Sequence, residues 1–232
     1  MIAENVQNIE EILKKTCLQH GRDRSEITLI AVSKTFGAGA VAEAHSAGIA
    51  DFGENYVQEV SAKRSELAGK DLRWHFIGHL QTNKVKYIAE WVHMVHSVDS
   101  LSLANELSKR SNRAGRVLDV LIEVNTSEEA TKFGVRPPEA LALIASVAVL
   151  PNLRLKGLMT IGPFTDDRNA TRASFRTLRE ILTEANRTNI TPHPLKELSM
   201  GMSHDFPEAI AEGSTMVRIG TAIFGSRTYP TP

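Results

Sequence analysis

Apolar positions along this chain alternate between two spacings. Val6, Ile9, Ile12 and Leu13 recur at helical intervals within Glu4 to His20, which predicts an N-terminal helix. The run Ile27-Thr28-Leu29-Ile30-Ala31-Val32-Ser33-Lys34 is short, apolar and β-branched, as expected of a strand buried on both faces of a parallel sheet. The alternation then repeats. Helical stretches are predicted over 41–47, 56–67, 83–90, 101–113, 137–149, 170–186 and 206–212. Strand-like runs end at Asn55 and cover 72–77, 92–98, 117–124, 153–161, 195–200 and 215–219. Gly48 closes one helix, and Pro137-Pro138 opens another in the way proline is tolerated in a first turn. Eight strands alternating with helices predict a single α/β domain over residues 1–232, a (β/α)8 TIM barrel with an extra N-terminal helix; such barrels typically take ~250 residues. An open doubly wound sheet is the alternative, weakened by the absence of G-x-G-x-x-G after the first strand. No linker, low-complexity stretch or fixed-period repeat interrupts the pattern.

Composition narrows the classes of function. The 232 residues hold 27 Lys plus Arg against 27 Asp plus Glu, so zero net charge gives no footprint for nucleic acid or an anionic membrane. Arg168, Arg172, Arg176 and Arg179 cluster, but at helical spacing, and read as a solvated helix face. The single cysteine, Cys17, has no internal disulfide partner, which suits a reducing cytosol. The first residues lack the basic start and apolar core of a signal peptide. The longest apolar stretch, Ala140 to Leu150, falls short of the ~18 residues of a membrane span. A cytoplasmic location without membrane association is the expectation.

The candidate chemistry lies at the C-terminal ends of the strands, the active face of a barrel. Lys34 ends a strand with no other reason to carry a charge. At the mouth of a sheet its amine is partly desolvated, which favours the neutral, nucleophilic form used in Schiff-base chemistry. A strand-end lysine reaching for water is the plainer alternative. The other strand ends bring Glu54 and Asn55, Gly78 and His79, Asn125, Met159 and Thr160, Ser199 to Ser203, and Arg218 to Thr221. The loops after strands seven and eight are a recurrent phosphate site in barrels. There Gly201 and Gly220 let backbone amides approach an anion, and Ser203 and Thr221 add hydroxyls. A lysine beside a phosphate cradle points to a phosphorylated aldehyde, of which pyridoxal 5′-phosphate is the commonest cofactor. Arg218 placed at its ring nitrogen would keep that atom unprotonated; a salt bridge to Glu123 or Glu54 is the alternative. His75 with His79, and His93 with His96, lack the H-E-x-x-H spacing of a helical metal site. No G-x-S-x-G elbow is present.

Six stretches carry a resemblance. They are Leu29 to Thr35, Phe52-Gly53-Glu54-Asn55-Tyr56-Val57-Gln58-Glu59, Trp74 to Gly78, Leu80-Gln81-Thr82-Asn83-Lys84, Ser199-Met200-Gly201-Met202-Ser203, and Gly213 to Gly220 running on to Phe224-Gly225-Ser226-Arg227. In this order the chain resembles the pyridoxal 5′-phosphate homeostasis protein family. The resemblance implies a fold-type III pyridoxal phosphate-binding barrel like the N-terminal domain of alanine racemase. It implies a Schiff base on Lys34, phosphate on Ser203, Gly220 and Thr221, Asn55 beside the ring, Arg218 at the ring nitrogen, and Met200 within the binding loop. The chain departs from the family pattern at Phe36-Gly37-Ala38-Gly39, where lysine and proline are frequent. It departs also at His79, where proline is frequent, and in the loose Ala130-Thr131-Lys132-Phe133-Gly134 element.

The expected function is that of a non-catalytic protein that holds and supplies pyridoxal phosphate, with apo forms of enzymes using that cofactor as partners. A pyridoxal phosphate-dependent amino-acid racemase is the rival. It needs a second base, expected from another domain, and only five residues follow Arg227. A monomer is expected on the same ground. A cofactor-free lysine aldolase and a purely structural barrel are the remaining alternatives.

Overall fold

The computed structural model describes residues 1–226 apart from 128 and 130. Ala130 and Arg227, which belong to stretches quoted above, lie outside the described residues. Eight parallel strands close into a barrel in sequence order. They are β1 (Thr28–Val32), β2 (Asp51–Glu54), β3 (Arg73–Phe76), β4 (Met94–Val98), β5 (Leu118–Glu123), β6 (Leu153–Met159), β7 (Glu197–Ser199) and β8 (Met216–Ile219). The helices are α1 (Ile2–Gln19), α2 (Ala38–Ser46), α3 (Val57–Glu66), α4 (Leu101–Arg113), α5 (Pro137–Ala148), α6 (Arg168–Arg187), α7 (Phe206–Ala211) and α8 (Thr221–Phe224). The chain has the (β/α)8 fold.

Period-two alternation sorts the strand residues between two cores. The larger core lies between strands and helices and includes Leu29, Ala31, Phe52, Phe76, Val120, Ile122, Leu198, Val217 and Ile219. A small separate cluster of Ile30, Met94, Leu121, Met159 and Met216 fills part of the barrel interior. The rest of that interior is polar: Asp51, His75, His96, Ser199 and Arg218 are all buried. Gly157 on β6 is required by close strand approach, since a Cβ there would lie 1.9 Å from the Glu197 carbonyl oxygen on β7.

Four elements differ from the sequence pattern. The helix expected over 83–90 is a 3₁₀ helix, Thr82–Tyr87. The strand expected over 195–200 is reduced to Glu197–Ser199. Ile12 is 44% exposed, so the buried stripe of α1 is Val6, Ile9, Leu13, Thr16 and Cys17. The four-residue α8 lies where the sequence pattern predicts a loop. Because α8 is so short, α1 packs beside it against α2 and α7 and supplies the outer layer there. Asn5 Nδ2 on α1 donates to the Ile223 carbonyl at 2.9 Å.

The arginine cluster on α6 is an inter-helix clamp. Arg176 and Arg179 reach buried Glu212 at 3.0 and 3.2 Å, and Arg168 reaches Glu208 at 3.4 Å. Among the described residues no helix is long and apolar enough to cross a membrane.

Candidate functional site

The turn that presents Lys34 is built by its neighbours. Phe36 N–H donates to the Ser33 carbonyl at 3.0 Å, closing Ser33-Lys34-Thr35-Phe36 into a tight turn. Its third residue, Thr35, has φ of 72°, a left-handed conformation that β-branched residues rarely take. Surrounding contacts hold it there. Thr35 N–H donates to Glu59 Oε2 at 2.9 Å, and Lys63 Nζ donates to the Ser33 carbonyl at 2.8 Å. Lys63 also meets Glu54 Oε1 at 2.6 Å, and Ser33 Oγ donates to the same oxygen at 2.6 Å. Burial pushes the Glu54 carboxyl above its ordinary range, with the Lys63 and Ser33 hydrogen bonds working against that rise. Local strain behind a reactive side chain is the kind that packing must maintain. The unusual Phe36 stacks on Phe224 with ring centroids 5.1 Å apart, tying this turn to α8.

Lys34 borders a cavity of about 170 Å³ at the C-terminal mouth of the barrel, which Asn55, Ser203, Arg218, Gly220 and Thr221 also line. Six of the seven residues picked from the sequence are thus brought together. Met200 is not. Alternation turns Ser199 into the barrel and Met200 outward into the helix-side core. The Met200 N–H is used on the Met216 carbonyl and its own carbonyl accepts from Ser214 Oγ, so neither side chain nor backbone faces the cavity. Met202 and His204 also line the cavity; Met202 lies within the Ser199 to Ser203 strand end named from the sequence, whereas His204 was missed.

The loops after β7 and β8 meet at one hydroxyl. Ser203 Oγ accepts from the Gly220 and Ala222 amides at 3.2 and 3.4 Å. Gly201 makes this loop possible: its φ is 95°, and a Cβ would stand 2.6 Å from the Ala209 side chain. On the far wall, Asn55 Oδ1 is buried without a hydrogen-bond partner among the described residues.

Arg218 forms no ion pair with Glu123 or Glu54. Its guanidinium donates to Ser199 Oγ at 2.6 Å and to the Thr160 carbonyl at 2.8 Å, while Glu54 is engaged by Lys63 at 2.6 Å. Burial lowers the Arg218 pKa to about 10, with Asp205 and Glu123 opposing, so the group stays charged at neutral pH. Glu123 lines a larger adjoining cavity of about 490 Å³ that shares Asn55, Ile77 and Ile161 with the first. Burial, then the charge of Asp99, pushes the Glu123 carboxyl up to about 7 against the pull of Arg218.

That shift has a consequence for stability. The folded state holds the Glu123 proton more tightly than the unfolded chain, so stability is greatest below the ordinary carboxyl pKa and falls as pH rises toward about 7. A displacement from 4.5 to about 7 corresponds to on the order of 3 kcal/mol. Glu123→Gln is expected to flatten the fall of unfolding free energy between pH 5 and about 8. Urea titrations across that range check it; an equally steep fall in the variant would place the proton elsewhere.

No group of three or more metal-binding side chains occurs among the described residues. Instead, His75 Nδ1 and His96 Nε2 lie 2.9 Å apart, bonded to each other. His79 stacks on Phe133 with centroids 3.9 Å apart.

The profile of the family described as alanine racemase, N-terminal domain, matches residues 2–228. The pyridoxal phosphate homeostasis protein of Pseudomonas aeruginosa is 48% identical over 231 residues, covering 100% of this chain and 98% of that protein. The protein of the same name in Escherichia coli K12 is 44% identical, covering 98% and 97%. The chain belongs to the pyridoxal phosphate homeostasis protein family. Among solved structures, PipY of Synechococcus elongatus with pyridoxal phosphate bound is 36% identical with a TM-score of 0.83, covering 97% of this chain and 100% of that one. Alanine racemase of Clostridium difficile 630 has a TM-score of 0.78 at 16% identity. It covers 99% of this chain but 57% of its own, and at that identity the likeness is one of fold.

Proposed function

We propose that this protein holds pyridoxal 5′-phosphate on Lys34 and takes part in its intracellular supply and buffering without efficient catalysis. The observation that carries the reading is the convergence of Lys34, Ser203, Gly220, Thr221, Asn55 and Arg218 on one small cavity at the barrel mouth. The donor set suits the cofactor. The amides of Gly220 and Ala222, now gathered on Ser203 Oγ, and the Thr221 hydroxyl suit a phosphate. The unpartnered Asn55 oxygen suits a donor on the ring, and charged Arg218 suits an unprotonated ring nitrogen. When bound, the cofactor supplies an aldehyde that condenses with the lysine amine. The relatives' names and the PipY complex support the cofactor assignment.

The non-catalytic part of the reading rests on two supports. Relatives are named for homeostasis and not for a reaction. A cationic group at the ring nitrogen also weakens the electron sink that α-proton removal requires. The chain acts as a monomer in this reading and hands the cofactor to apo-enzymes. The test is the visible absorption of the purified protein after adding pyridoxal phosphate, followed by L- and D-alanine in heavy water. A visible band that borohydride removes, without exchange of the alanine α-proton, is expected. Rapid exchange would make the protein a racemase, and no band would remove the cofactor.

A further inference from the structure

Beneath Arg218 a file of polar side chains crosses the barrel interior, linking β8 to β7, β4, β3 and β2. Arg218 donates to Ser199 Oγ at 2.6 Å. Ser199 Oγ and His96 Nδ1 are 2.9 Å apart, as are His96 Nε2 and His75 Nδ1, and His75 Nε2 and Asp51 Oδ1. Asp51 is held from below by Arg73 at 2.7 and 2.6 Å. All five residues from Asp51 to Arg218 are buried. A polar file in a barrel core costs desolvation at every member unless each donor meets an acceptor.

The directions of these bonds follow from their ends. Arg218 can only donate, and an ionised Asp51 can only accept. Asp51 is ionised: burial opposes its charge, but the Arg73 and His75 hydrogen bonds outweigh burial and hold its carboxyl at about 2. His75 Nε2 therefore carries hydrogen. His96 is neutral, because burial first, with the charge of Arg218 adding to it, pushes its pKa well down. With one proton on His96 and the Arg218 donor at Ser199 Oγ, the Ser199 hydrogen goes to His96 Nδ1, and His96 Nε2–H donates to His75 Nδ1. The Ser199 oxygen then accepts from Arg218. Every donor in the file points from Arg218 toward Asp51, and every internal group is used once. If His75 were charged, the sense would reverse as far as Ser199, whose oxygen would accept twice and whose hydrogen would have no acceptor in the file. Other titratable neighbours are His93, its ring 5.2 Å from His75, and Asp205 and Glu123 acting on Arg218 through space.

Resting on the reading that Arg218 faces the cofactor's ring nitrogen, we propose that Asp51, His75, His96 and Ser199 are positioning residues. Their one-way hydrogen-bond file locks the guanidinium in the orientation that keeps that nitrogen unprotonated. Ser199 and the Thr160 carbonyl fix two edges of the guanidinium, leaving the rest of the group on the cavity wall. No carboxylate hydrogen-bonds to Arg218 among the described residues, so its direction is set by a neutral hydroxyl whose own direction is set three links away, at Asp51.

The experiment has two readouts. In cofactor-free protein, long-range proton–nitrogen NMR is expected to show hydrogen on Nε2 and a bare Nδ1 in both His75 and His96. Separate, slowly rotating Arg218 Nη protons are expected too. Ser199→Ala is expected to free that rotation, and Ser199→Thr to restore it. In the loaded protein, Ser199→Ala is expected to lower the pH at which the visible band titrates by about one unit or more, because a ring nitrogen that gains a proton makes the Lys34 imine more acidic. Asp51→Asn keeps an acceptor for His75 and is expected to move that midpoint the same way by less, which covers the case in which Ser199→Ala does not fold. A charged or Nδ1–H imidazole at either position overturns the file. A midpoint that is unchanged or raised in the variants overturns the positioning role. Failure to take up cofactor at all would instead defeat the binding reading, with the NMR pattern still judging the file.

Discussion

Lys34→Ala is expected to abolish covalent retention of pyridoxal phosphate while leaving the barrel folded. The side chain is half-buried at the rim and lies outside both hydrophobic clusters, so its truncation removes no core volume. Substitutions at such positions usually change stability by within about 0.5 kcal/mol. Borohydride treatment followed by intact mass measures retention, and thermal unfolding measures the fold. The wild type is expected to gain one cofactor mass and the variant none. Ser203→Ala provides the contrast. It leaves the amine in place and removes the hydroxyl that gathers two loop amides, so the adduct is expected to persist with affinity reduced by roughly tenfold, the scale of one hydrogen bond to an anion. If Lys34→Ala still carried a reducible adduct, the lysine assignment would fail. If both variants behaved alike, the division of labour between amine and phosphate cradle would fail.

The legible part of this molecule is what periodicity and strand order can carry. Eight apolar runs separated by helical stretches give the barrel, because a strand covered on both faces must read as a continuous apolar run. A barrel then brings the strand ends together, which is how Lys34, Asn55, Ser203 and Arg218 were found without any contact information. Three features escaped for physical reasons. Helix α8 is four residues of Thr-Ala-Ile-Phe between glycines, too short for a period to register. Met200 entered with the binding-loop stretch that carries the resemblance, whereas alternation from the inward Ser199 assigns it outward. The polar file joins residues as far apart in sequence as His96 and Ser199, and no local pattern encodes that contact. A signal was nonetheless present. Asp51, His75 and His96 are polar residues at inward positions of apolar strands, which a barrel interior accepts only when they bond to one another.

The buried pair behind Lys34 gives the second large effect. Lys63→Met is expected to destabilise the protein by about 3–5 kcal/mol, because it leaves the Glu54 carboxylate in a fully buried site without its cation. Glu54 is 0% exposed and Lys63 6%. Glu54 Oε2 already lacks a hydrogen-bond partner among the described residues, so the site has no spare donor to compensate. Glu54→Gln combined with Lys63→Met is expected to recover most of the loss, since replacing both members of a buried pair is far cheaper than removing one. The pH dependence follows from the raised Glu54 pKa. In Lys63→Met the cation that opposed that rise is gone, so the folded state holds the carboxyl proton still more firmly than the unfolded chain does. The deficit is therefore expected to shrink as pH falls toward the ordinary carboxyl range and to grow as pH rises through the folded value. Urea unfolding at pH 5.5 and 8, on wild type, single and double variants, measures all of this. A deficit under about 1 kcal/mol, or additive single and double effects, would mean that water or a neighbouring group solvates Glu54. The same substitution removes the Lys63 bond to the Ser33 carbonyl, which helps hold Thr35 left-handed. Cofactor retention on Lys34 should therefore weaken in Lys63→Met even where the barrel stays folded, linking a buried structural pair to the reach of the reactive amine.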